Sequence, residues 1–240
     1  MTTTGPVRVR TLGPRAAALV MAVALAVGAL APGIAGAQPP GRHPVSGRVY
    51  ALPMSVDGAP WLDRREREDE EEVGLLVRLL RLPRGATVAD IGAGSGYVTT
   101  RLARAVGPTG KVYAADIQQG MLDLLAQAVA KQKLTNVEPI LSTLDDPKLP
   151  PNAVDLIVMV DVYHELSQPQ RMLQRMKEAL KPDGRLVLVE YRAEDPAVPI
   201  RPEHKMTKAQ VKLEVESEGF KQSRVLDDLP RQHVIIFTKP

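Results

Sequence analysis

The chain has 240 residues, enough for one sizeable domain with appendages, and its 44% hydrophobic and 25% charged residues suit a water-exposed domain with a buried core. The net charge of +3 comes entirely from Arg8, Arg10 and Arg15, which leaves 28 basic against 28 acidic residues beyond position 37 and no basic surplus for nucleic acid or an anionic bilayer. The absence of cysteine excludes disulfides, thiolate relay chemistry and lipid attachment through sulfur.

In chain order, three arginines precede an uncharged run, Ala16 to Ala31, followed by Pro32 and the small-residue site Ala35-Gly36-Ala37. This is the layout of a signal peptide over residues 1–37, cleaved after Ala37. The apolar run of 16 residues is short of the roughly 20 that span a bilayer, so export without lasting membrane insertion is expected. Initiation at Met54 would instead omit the leader and keep the protein in the cytoplasm. Residues 38–60, with Pro39, Pro40, Pro44, Pro53 and Pro60, read as a linker or extended arm. The domain, residues 61–240, should open with one helix over Trp61 to Leu82, charged in its first half and apolar in its second.

The central stretch runs from Thr87 to Val106. An apolar, β-branched strand ends at Ile91, glycines follow at positions 92, 94 and 96, and Tyr97 to Val106 has helical spacing. Glycine lets a ligand approach the backbone, and the helix start aims unpaired N–H groups at the turn. Further strands are expected at Lys111–Asp116, Asn136–Leu141, Val154–Val160 and Arg185–Val189, and a final pair at Gln222–Leu226 and His233–Thr238. Helices are expected over Met121–Lys133 and Pro169–Leu180, with a Lys181-Pro182-Asp183-Gly184 turn after the second, and from a Thr207 cap to Gly219. Polar residues gather where strands end: Asp116, Asp145, the run Asp161 to Glu165, and Glu190. Asp116 lies 24 residues after Gly92, near the distance at which an acid meets ribose hydroxyls in nucleotide folds, and it is equally placed to cap the next helix. Ala193 to Lys205 is proline-rich and reads as a lid carrying His204.

The pattern Asp90-x-Gly92-x-Gly94-x-Gly96, with acids after the second and third strands, resembles the class I S-adenosylmethionine-dependent methyltransferases. The resemblance implies a doubly wound α/β domain whose mostly parallel seven-stranded sheet has the order 3-2-1-4-5-7-6, with its last strand antiparallel. It implies S-adenosyl-L-methionine as cofactor, held by Asp90, Gly92, Gly94, Gly96, Asp116, Ile117, Leu144, Asp145 and Asp161. Methyl transfer needs alignment and, for an N–H or O–H acceptor, a base; His164, Glu165, Glu190 or His204 could remove the proton, and His164, Glu165 and Glu190 are the catalytic candidates, with His164 facing substrate. The acceptor is a small molecule or a protein. No metal is assigned, although His164, Glu165, Glu190 and His204 are ligand types that suit divalent ions. His164-Glu165 is not a zinc-protease signature, because position 168 is glutamine. Two other readings compete: a nicotinamide oxidoreductase, which fits the glycine spacing poorly, and an exported non-catalytic nucleoside-binding domain, since this cofactor is made in the cytosol. Aromatic residues, at 3%, are too few for base stacking on nucleic acid.

Overall fold

The computed structural model describes residues 41–239; the expected signal peptide and its cleavage point lie outside them. Eight strands form one sheet: β1 (Thr87–Ile91), β2 (Lys111–Asp116), β3 (Val137–Leu141), β4 (Val154–Val160), β5 (Leu180–Arg192), β6 (Lys205–Met206), β7 (Lys221–Leu226) and β8 (Gln232–Thr238). Their order is β3-β2-β1-β4-β5-β8-β7, parallel as far as β5, with β8 antiparallel to both its neighbours. The expected topology is therefore present. One strand was not anticipated: β6 pairs with Tyr191 and Arg192 of β5, beyond Val189, the last residue of β5 that pairs with β4.

Period-two alternation in β4 explains the two faces. Ile157 and Met159 join a core with Met172, Leu173 and Met176 of α6 (Pro169–Ala179) and Val211 and Val215 of α7 (Lys208–Ser217). Leu156, Val158 and Val160 join a second core with Leu76 of α3 (Val73–Leu79) and Leu102 of α4 (Tyr97–Val106). The strand is apolar on both sides because helices cover both, and each large side chain buried this way contributes about 1.5–3 kcal/mol. α5 (Gln119–Lys131) packs beside β2 and β3. Every parallel strand thus delivers its carboxyl end to one edge, where a doubly wound sheet binds ligands.

Three expectations need correction. The single helix over Trp61 to Leu82 is three short ones, α1 (Ala59–Leu62), α2 (Arg67–Glu71) and α3, broken where Glu72 takes the left-handed φ of 47°. The break turns Glu71 inward, where it accepts from Arg67 Nε at 2.7 Å and from the Tyr191 hydroxyl at 2.9 Å. That buried pairing outweighs helix propensity. The turn expected at Lys181–Gly184 is a bulge inside β5: Val154 pairs with Leu180 but Leu156 with Arg185. Residues 193–205 are a tethered strap rather than a free lid, since Lys205 Nζ donates to the carbonyls of Asp195 and Val198 and Val198 is buried.

The arm is no linker either. Residues 42–49 form a tight hairpin with a bridge between Arg42 and Val49. Arg48 holds both carboxylate oxygens of Glu214 on α7 at 3.0 Å, and His43 lies 3.4 Å from the same group. All three are buried against the domain, so residues 41–53 belong to the fold. Initiation at Met54 would discard them and strand a buried carboxylate. Among the described residues no helix is long and apolar enough to cross a membrane.

Candidate active site

At the carboxyl end of β1 the chain turns sharply. Gly92 and Gly94 have φ of 72° and 53°, and a Cβ at Gly92 would come within 2.5 Å of the Val162 side chain. Only glycine allows that approach, which brings the loop after β4 against the loop after β1. Gly94 N–H donates to Asp116 Oδ2 at 2.9 Å, while Asp116 Oδ1 accepts from Gln118 N–H at 2.9 Å. Asp116 therefore caps the turn into α5 and stands at the glycine loop, and burial raises its pKa.

Asp90 stands on β1 two residues before Gly92. It is buried, its Oδ2 accepts from Thr99 Oγ1 of α4 at 2.6 Å, and burial pushes its pKa up to about 6. It braces β1 against the helix that follows. Ile117 and Leu144 lie at the ends of β2 and β3 with 38% and 50% exposure, open apolar faces of the kind an adenine ring covers. Asp145, beside Leu144, accepts from Thr143 Oγ1 at 2.9 Å and lies 3.4 Å from Arg171. Asp161 follows β4 with φ of 56°, accepts from Gln232 Nε2 at 2.7 Å, and keeps a buried Oδ1 without a partner. Burial, then Glu71 and Glu190, raise its pKa well above the usual carboxylate range.

The polar ends of β4 and β5 meet in a line of three side chains. Glu190 Oε2 accepts from His164 Nδ1 at 2.6 Å, and His164 Nε2 lies 3.0 Å from His204 Nδ1. Burial opposes charge on His164, but Glu190 outweighs it and leaves the pKa above its ordinary value. Burial and then His164 lower that of His204. Glu165 Oε1 stands 3.9 Å from each ring, and burial pushes its pKa up to about 7. His164 is 1% exposed with both nitrogens engaged, whereas the His204 side chain beside it is 27% exposed. His204 was among the polar candidates in the sequence, but its place beside His164 was not legible; the signal that puts it there, pairing of β6 with β5, spans fourteen residues and has no local motif.

The arm closes over this edge. Ala51 N–H and Arg48 Nη1 both donate to the His164 carbonyl, Gln118 Nε2 donates to the Met54 carbonyl, and Ser95 Oγ donates to Asp63. Leu62 Cδ1 lies 3.1 Å from where a Cβ on Gly94 would be.

Comparison with known proteins follows from this geometry. Residues 88–184 match the family model described as a methyltransferase domain. The crystal structure of a SAM-dependent methyltransferase from Aquifex aeolicus is 30% identical with a TM-score of 0.73, the match covering 77% of this chain and 98% of that one. The chain belongs to the class I S-adenosylmethionine-dependent methyltransferases. A ubiquinone/menaquinone biosynthesis C-methyltransferase from Escherichia fergusonii is 33% identical over 109 residues, covering 45% of this chain and 43% of that protein. The chain thus spans less than half the length of the curated relatives it matches. A TehB-like SAM-dependent methyltransferase from Corynebacterium glutamicum, at 18% identity and a TM-score of 0.57, shares the fold. The residues fit the family's cofactor: a glycine loop beside a buried carboxylate, with uncovered apolar side chains where an adenine would lie. Of the three readings the sequence left open, methyltransferase stands; the nicotinamide enzyme and the non-catalytic binder fall away.

Proposed function

We propose that this methyltransferase acts on a small-molecule acceptor with a removable proton, and that His204, backed by His164 and Glu190, takes that proton. S-adenosylmethionine, when bound, supplies an electrophilic methyl group on a sulfonium. The acceptor atom forms a bond to that carbon as the carbon–sulfur bond breaks, so the protein's task is alignment, dryness and proton removal. Gly92, Gly94, Gly96 and Asp116 would hold the nucleoside and amino-acid ends, with Ile117 and Leu144 against the base, Asp145 at its edge and Asp161 beneath the reacting carbon. Asp90 serves the cofactor at one remove, by fixing α4.

The observation that carries the reading is the Glu190, His164, His204 line. His204 turns Nδ1 toward His164 and so presents Nε2 outward. A proton taken there leaves a positive charge that the buried Glu190 carboxylate, at the far end of the line, stabilises. The stretch shared with the C-methyltransferase relatives supports carbon as the methylated atom. We further propose that residues 1–37 direct export and are removed after Ala37, which amino-terminal sequencing of the protein from its native cell would test by finding Gln38 first.

His204→Ala should lower turnover about 100-fold or more, measured as release of labelled methyl from S-adenosylmethionine onto small-molecule extracts of the cell envelope. Its affinity for S-adenosylhomocysteine by calorimetry should stay within about twofold of wild type, since His204 touches none of the cofactor residues. Undiminished turnover would remove His204 from the reaction.

A further inference from the structure

The geometry points to a divalent transition-metal site formed by His164 Nε2, His204 Nδ1 and Glu165 Oε1. These three atoms lie 3.0, 3.9 and 3.9 Å from one another. A triangle with those sides has its centre about 2.1 Å from every corner, the length of a bond from a zinc-like ion to an imidazole nitrogen or a carboxylate oxygen. The three groups come from the 3₁₀ turn Tyr163–Glu165 after β4 and from the strap before β6, which β5 fixes by strand pairing.

Two further observations favour an ion over a simple pair of hydrogen-bonded rings. Glu190, fully buried, accepts from His164 Nδ1, so that in the neutral ring Nε2 is the nitrogen that carries the lone pair, the arrangement by which a carboxylate orients a metal-bound histidine. In addition, neither Glu165 nor Glu190 has a lysine or arginine within 4.0 Å among the described residues, so two carboxylates sit at the site against two imidazoles. A dication balances that charge. Two imidazoles and one carboxylate suit Zn²⁺, Co²⁺, Fe²⁺ or Ni²⁺ rather than Mg²⁺ or Ca²⁺, and three protein donors leave a position for water or an acceptor atom. The ion occupies the place of the proton the two rings otherwise share, so this site uses the same side chains as the proposed base and rests on that rim serving the acceptor.

The full chain, free of any affinity tag, is equilibrated with Zn²⁺ or Co²⁺ and dialysed, and bound metal is counted per chain. One ion per chain, with visible Co²⁺ bands, is expected; His204→Ala should lose it while binding S-adenosylhomocysteine normally, and Glu190→Gln should bind it about 10–100-fold more weakly. Should His204→Ala not fold, the wild-type chain loaded with Cu²⁺ must show two imidazole nitrogens by electron spin echo. Less than one ion per wild-type chain, equal uptake by His204→Ala, or fewer than two imidazoles overturns the site. Metal uptake is read without an acceptor and turnover without added metal, so loss of one leaves the other standing.

Discussion

Asp116 receives N–H groups from Gly94 and Gln118 on its two carboxylate oxygens, and we propose that it also accepts from the ribose hydroxyls of the cofactor. Asp116→Ala should therefore weaken S-adenosylhomocysteine binding at least about tenfold, by losing charge-assisted hydrogen bonds worth about 1.5–3 kcal/mol and loosening the loop. Calorimetry on a chain with an unchanged circular dichroism spectrum checks this; unaltered affinity would end its assignment. Asp90 behaves differently, since burial raises its pKa from 3.8 to about 6. Between those values the folded chain keeps a proton that the unfolded chain has released, so stability falls as pH rises through this window and stays lowered above it. Asp90→Asn, which can still accept from Thr99, should be more stable than wild type at pH 7 by about 3 kcal/mol, with the gain shrinking toward pH 4; urea titrations at both pH values decide it. Asp116 and the glycines were legible in the sequence because their chemistry is local to one strand and its turn. The inward turn of Asp90 was not, because only the packing of α4 on β1 shows that Thr99 receives it.

At the scale of elements, the strands were readable because each carries its own apolar run between turn residues, and their order came with the glycine motif. What failed to show were interactions between segments far apart in the chain. Glu214 lies more than 160 residues from Arg48 and Ser46, and no periodicity announces that a proline-rich arm supplies its partners. The same holds for Glu71, whose tie to Tyr191 divides what the residue pattern presents as one helix. A chain begun at Met54 lacks His43, Ser46 and Arg48 and leaves the Glu214 carboxylate buried alone, which should cost about 3–5 kcal/mol. Chemical denaturation of that shortened chain beside the full one measures the difference, and equal midpoints would show that the arm contributes nothing to the fold.

Across the whole molecule, one sheet edge gathers the glycine loop, a histidine line and a strap, while the cores beneath are conventional. The family resemblance made that edge predictable; the acceptor was not, because polar groups such as His204 and Glu165 do not by themselves select one kind of acceptor. That arm runs without interruption from Arg48 and Ala51, which grip the carbonyl of His164, to Met54, Leu62 and Asp63, which lie along the cofactor loop. A single strip of chain laid across both halves should make turnover sequential, with the nucleoside bound before the acceptor. Product-inhibition kinetics should accordingly show S-adenosylhomocysteine competing with S-adenosylmethionine but not with the acceptor, and a random-order pattern would mean that the two halves fill independently.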